Sequence, residues 1–115
     1  MKPKVQFRLR VLREDTVAVG PGKVALLEAI SESGSISGAA RDMGMSYRRA
    51  WLLVDELNKA LVSPAVTTAA GGARGGGAAL TPVGIEIVQR YRAIESSAKL
   101  ATAKEVAALM RLLLP

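Results

Sequence analysis

The 115-residue sequence contains no cysteine and no histidine. Without cysteine no disulfide framework can form, and without either residue no Cys/His zinc site can be built. The cysteine nucleophile and the histidine general base, on which the commonest triads and acid–base catalysts rest, are also missing. Paired carboxylates are the remaining catalytic option. Asp55 and Glu56 are adjacent, however, and adjacent helical positions do not face one another. The chain is therefore not expected to be an enzyme, and no cofactor is implied. Aromatics are scarce: Phe7, Tyr47, Trp51 and Tyr91. The core must be aliphatic and packed around small residues, of which alanine supplies 19. No apolar run approaches the ~18 residues of a membrane-spanning helix, so no membrane partner is expected. The basic N-terminus leads into no apolar h-region and does not read as a secretory signal, which leaves the cytoplasm as the expected location.

What is present is positive charge. Sixteen Lys and Arg stand against ten Asp and Glu, a net charge of +6 and a pI near 10.2. That balance suits a polyanionic partner, either nucleic acid or an anionic surface. The length suits one domain with an oligomerising extension.

Val5, Phe7, Leu9 and Val11 alternate with Gln6, Arg8 and Arg10, which predicts a half-buried strand over 5–11. Lys2, Lys4, Arg8, Arg10 and Arg13 are read as its solvated cations. A short returning strand is expected at Val17–Val19, before Gly20-Pro21-Gly22 interrupts the chain. From Lys23 the spacing of Leu26, Leu27 and Ile30 predicts a helix that Gly34 stops. Ser35 is placed to cap a second short helix, Ile36–Met43, with Ala39, Ala40 and Met43 inward. Gly44 and Met45 make a tight turn. Ser46 is the next cap, opening a third helix from Tyr47 to about Leu61 that buries Ala50, Leu53 or Val54, and Leu57. Residues 65–80 read as a hairpin whose Gly-rich tip, 71–77, holds five of the eleven glycines. Thr81-Pro82 starts a last long helix from Val83 through Lys99, continuing or restarting toward Leu114. Ile87, Tyr91, Ile94 and Ala98 recur in steps of four and three, a candidate dimerisation seam.

The predicted fold is mainly α with a small β-hairpin: a winged helix-turn-helix with a long C-terminal dimerisation helix. The expected division is a DNA-binding domain at 1–82 and a helical dimerisation segment at 83–115. In such a design the second helix sets the angle of the third, whose first turns enter a major groove about 12 Å wide. Ser46, Tyr47, Arg48 and Arg49 stand at that end. Neighbouring helical residues project about 100° apart, so Arg48 is assigned to a base edge and Arg49 to a phosphate. Gly72, Arg74 and Gly75 are the wing's candidates, where glycines let the backbone approach phosphates. Trp51 has two readings, contact with DNA through its indole N–H or packing beneath Tyr47 or against the hairpin; the second is preferred.

Two stretches carry a resemblance. Ser33-Gly34-Ser35-Ile36-Ser37-Gly38-Ala39-Ala40 leading to Gly44-Met45-Ser46-Tyr47-Arg48-Arg49-Ala50-Trp51 resembles the N-terminal DNA-binding domain of the ModE family, the molybdate-responsive transcription regulators. The general pattern is shared more distantly with LysR-type regulators. Gly71-Gly72-Ala73-Arg74-Gly75-Gly76-Gly77 before Leu80-Thr81 is similar to the ModE wing. The resemblance covers about residues 5 to 98. It implies a winged helix, a homodimer held partly by the last helix, double-stranded DNA as partner and an inverted-repeat operator. The family's molybdate-binding domains have no counterpart in these 115 residues. Any small-molecule effector is thus expected to bind outside this chain. The competing function is a winged-helix adaptor that binds protein and does not read DNA.

Overall fold

A computed structural model describes residues 3–72 and 75–115; of residues 70–72, 75 and 76 only the backbone is described. The order is β1 (Val11–Arg13), β2 (Thr16–Val19), α1 (Pro21–Ser33), α2 (Ile36–Asp42), α3 (Tyr47–Ala60), β3 (Val66–Gly72), β4 (Gly75–Leu80), α4 (Pro82–Ala101) and α5 (Ala103–Met110). β1 pairs antiparallel with β2, and β3 with β4, as two separate two-stranded sheets. This is the mainly helical, winged fold that the sequence predicts.

The N-terminal strand is shorter than expected. Phe7 and Leu9 are half-buried and Gln6, Arg8 and Arg10 exposed, so the alternation holds over 6–10, but Val5 and Val11, expected on the inward face, are exposed. Yet 5–10 is not a strand, because β2 offers only four residues and the ladder closes at Val11↔Val19. Beyond β2 the chain enters α1, with Pro21, which lacks an N–H, in its first turn. The Gly-Pro-Gly break is thus a helix start.

Side chains of α1, α2, α3 and the hairpin meet in one core. Leu26, Leu27, Ile30 and Leu57 are its largest fully buried members, beside Ala39, Ala40, Ala50 and Ala65. Burying each Leu or Ile contributes roughly 1.5–3 kcal/mol, and the alanines let the three helices approach closely. Each predicted cap is present. The Ser35 hydroxyl accepts from the Gly38 N–H at 2.9 Å, Ser46 from Arg49 at 3.1 Å and Thr81 from Gly84 at 3.1 Å.

Among the described residues one charge is buried, and it is accommodated by pairing. Lys23, only 6% exposed, donates to the Val17 carbonyl and, at 2.6 Å, to the Glu56 carboxylate, fastening α1 to β2 and α3. On the other side of α1, Arg92 of α4 is held by Glu28 and, at 2.7 Å, by Glu95. These hydrogen bonds hold its guanidinium proton more firmly than usual. The Tyr91 hydroxyl donates to the Leu9 carbonyl at 2.8 Å. Burial pushes its pKa above the ordinary tyrosine range, and the nearby Glu95 carboxylate adds to the shift.

The last helix restarts rather than continues. Thr102 turns its hydroxyl back to the Ala98 carbonyl at 2.6 Å, and α5 begins one residue later. No residue of α5 is buried. The radius of gyration of 17.0 Å, against about 13 Å for a compact chain of this length, reflects an elongated 57 × 32 × 24 Å shape. Among the described residues no helix is long and apolar enough to cross a membrane.

Candidate nucleic-acid interface

The angle of α3 is set at both ends. At its start the chain leaves α2, passes Gly44 at φ +67°, where a side chain would be strained, and closes with the Met45 N–H on the Ala40 carbonyl at 3.0 Å. Met43 and Met45 pack against the core below this turn. At its far end, Asn58 clamps the start of the hairpin. Its Oδ1 accepts from the Ala65 N–H at 2.8 Å and the Val66 N–H at 3.3 Å, while Nδ2 donates to the Val66 carbonyl at 3.2 Å. The hairpin therefore holds a defined position relative to α3.

Between these fixings, Ala50, Val54 and Leu57 face the core and the opposite side is open. Ser46, Tyr47, Arg48 and Arg49 are all exposed, side by side. Among the described residues no carboxylate pairs with Arg48 or Arg49, whereas Lys23, Lys59, Arg90 and Arg92 all have carboxylate partners. The cations at the start of α3 are thus available to an external anion. A cation at a helix start is disfavoured by the helix dipole, so local helix stability does not account for them.

In the hairpin, Gly72 and Gly75 face each other as the last backbone pair before the tip. Arg74 lies outside the described residues. Between α3 and the hairpin runs a cleft of about 290 Å³, walled by Ser37 of α2, Tyr47 and Trp51 of α3, Thr68 and Ala69 of β3, and Gly77 of β4. Trp51 does lie toward the hairpin, as the packing reading expects, yet it stays 45% exposed and Tyr47 57%. Packing accounts for about half of the indole. Sequence reasoning did not find Ser37 and Thr68. They lie 31 positions apart, and nothing local signals that the hairpin brings a hydroxyl opposite α2.

The four seam candidates on α4 have different environments. Ile87 packs against the core, and Tyr91, 2% exposed, is turned inward and bound to Leu9. Ala98 is half-buried and Ile94 is 49% exposed. Ile87, Ile94, Leu9, Val11 and Val19 line an apolar groove of about 270 Å³ with Tyr91 in its wall. Tyr91 is therefore a support for this surface, not one of its most exposed members.

No family profile matches the chain. The chain is 49% identical over 86 residues to the molybdenum-pterin-binding protein MopB of Rhodobacter capsulatus, covering 75% of this chain and 32% of that protein. It is 44% identical over 88 residues to the DNA-binding transcriptional dual regulator ModE of Escherichia coli, covering 76% and 34%. The chain thus spans about a third of the length of the curated relatives it matches. Among solved structures it is similar to the DNA-binding domain of CbnR in complex with DNA, with a TM-score of 0.56 at 20% identity, covering 76% of this chain and 95% of that one. That likeness shows the fold. Taken with the relatives, it means that the chain belongs, over about three quarters of its length, to the winged-helix N-terminal part of the ModE-type molybdenum regulators.

Proposed function

We propose that the chain is a DNA-binding transcriptional regulator acting in molybdenum-related gene control in the cytoplasm. The observation that carries this reading is the position of two adjacent arginines, Arg48 and Arg49, without a carboxylate partner among the described residues, on an exposed helix start whose angle is fixed from behind. The similarity to ModE of Escherichia coli, a DNA-binding transcriptional dual regulator, supports it. Arg48 reads a base edge, Arg49 holds a phosphate, and Ser46 and Tyr47 add hydroxyl contacts. Gly72, Arg74 and Gly75 bring the wing to the neighbouring backbone. Two copies act together, pairing along α4 through Ile94, Ala98 and the groove beside Ile87, with Tyr91 as its inner support. Residues 1–82 then read DNA and residues 83–115 pair protomers. The two recognition helices sit about 34 Å apart and read an inverted repeat.

Selection from a random duplex pool tests this, followed by anisotropy titration at several salt concentrations. The expected result is a recovered inverted repeat. If the dimer neutralises about six phosphates, log K falls against log[salt] with a slope near −5. Weak binding with no salt dependence and no recovered site overturns the reading and favours the protein-binding adaptor.

A further inference from the structure

Two of the four aromatic side chains are committed to the fold: Tyr91 is buried and Phe7 half-buried. The other two, Tyr47 and Trp51, are both open and line the same cleft. They stand four residues apart, hence on one face of α3. That face is turned toward the hairpin, roughly 100° round the helix from Arg48. The opposite walls add hydroxyls from Ser37 and Thr68, and among the described residues the cleft's lining includes no carboxylate and no cation. A cleft of this kind suits a ligand with a flat or apolar flank and a strong hydrogen-bond acceptor, while its own residues supply no charge.

Resting on the DNA-binding reading, we infer that this cleft seats one strand's sugar–phosphate backbone between recognition helix and wing. Trp51 and Tyr47 supply neutral donors to a phosphate and ring surface to the deoxyribose. Ser37 and Thr68 complete the hydrogen-bonding wall. The contact is independent of sequence, because every nucleotide presents the same backbone. It also differs from an arginine contact in a measurable way. A neutral donor displaces no counterion, so its removal weakens binding without changing the salt slope.

Trp51 is the sole tryptophan, so emission excited selectively from tryptophan reports on this cleft alone. The full chain is titrated with labelled duplex, with anisotropy reporting binding and acrylamide quenching reporting access to Trp51. At saturation the quenching constant is expected to fall at least about twofold, on operator-like and scrambled duplexes alike. Trp51→Phe keeps a ring and loses the N–H. It is expected to bind both duplexes about tenfold more weakly, with an unchanged salt slope and an unchanged melting temperature. Thr68→Val is expected to lose about threefold in the same manner. Duplex binding with Trp51 still fully open to acrylamide, or Trp51→Phe binding like the parent, overturns the cleft assignment and leaves the DNA-binding reading standing. Failure to bind any duplex overturns both.

Discussion

Over its first turns, from Tyr47 to Leu52, helix α3 shows solvent two aromatics, two arginines without a carboxylate partner among the described residues, and Leu52, which is 48% exposed. Over its last turns, from Asp55 to Ala60, the same helix is tied down. Glu56 takes the buried Lys23, Asp55 pairs with Lys59 at 2.8 Å, and Asn58 makes three hydrogen bonds to the base of the hairpin. The contrast assigns different work to the two ends. A side chain that distinguishes base edges must sit within a fraction of an ångström of its target. The exposed end has few contacts of its own with which to secure that position. The fastened end supplies the stiffness and passes it along a rigid helix to the open one. Substitutions at the fastened end should then be read as lost stability, and those at the open end as lost affinity.

The most severe test lies where the base of the hairpin, which Asn58 holds, meets α4. The Ala65 carbonyl accepts from the Thr81 N–H at 2.9 Å, and a Cβ on Gly84 would lie 2.2 Å from that carbonyl oxygen. The neighbour is backbone and cannot step aside. Gly84→Ala is expected to cost about 3 kcal/mol, the upper end of overpacking penalties. At roughly 4 °C per kcal/mol for a domain of this size, the melting temperature should fall by about 12 °C. A change of a degree or two would mean that the hairpin base is not rigidly seated on α4.

Asn58→Ala comes next. It leaves the Ala65 N–H, on a residue with no exposed surface, without its acceptor. An unsatisfied buried donor costs roughly 1–3 kcal/mol, so about 2 kcal/mol is expected in chemical denaturation. DNA affinity measured well below the melting point should change less than stability does. A variant that melts like the parent but binds poorly would reverse the roles given to the two ends.

Arg48→Ala is the counterpart at the open end. No carboxylate is lost with it, so the melting temperature should stay within a degree or two of the parent. Operator affinity is expected to fall about 10–100-fold, and discrimination at one base pair to relax, because a bidentate contact to guanine is worth about 1–3 kcal/mol. Arg49→Ala should instead weaken operator and scrambled duplex alike and reduce the salt slope by about one phosphate's share per protomer. If the two variants exchange behaviours, the helix is rotated about its axis so that Arg49 faces the bases and Arg48 a phosphate.

The same contrast explains what could be read from sequence. Ser35, Ser46 and Thr81 declare themselves as caps, because a cap is a three-residue event written in adjacent positions. Gly44 and the alternation of Ala50, Val54 and Leu57 are equally local. The open end of α3 was legible for that reason. The fastened end was not: Asn58 acts on residues seven and eight positions away, Lys23 finds Glu56 across 33, and Tyr91 finds Leu9 across 82. None of these partners can be chosen by periodicity alone. Local alternation misled at 5–10, where a strand pattern outruns the partner strand available to it. The cleft was missed for the same reason, since Ser37 and Thr68 meet only after the hairpin has docked.

The smallest effect separates two duties of one atom. Ser46 Oγ accepts from the Arg49 N–H, so its cap belongs to the helix, while its own proton is free to reach a phosphate. Ser46→Ala would confound the duties, because losing the cap costs about 1 kcal/mol. Ser46→Gly separates them, since glycine is tolerated at this position within a few tenths of a kcal/mol. The expected outcome for Ser46→Gly is a melting temperature lower by no more than about 3 °C and a duplex affinity about fivefold weaker, from one lost hydrogen bond. If affinity stays at the parent value, the hydroxyl is a cap alone. The open end then begins at Tyr47, and Ser46 joins the residues that hold the helix in place.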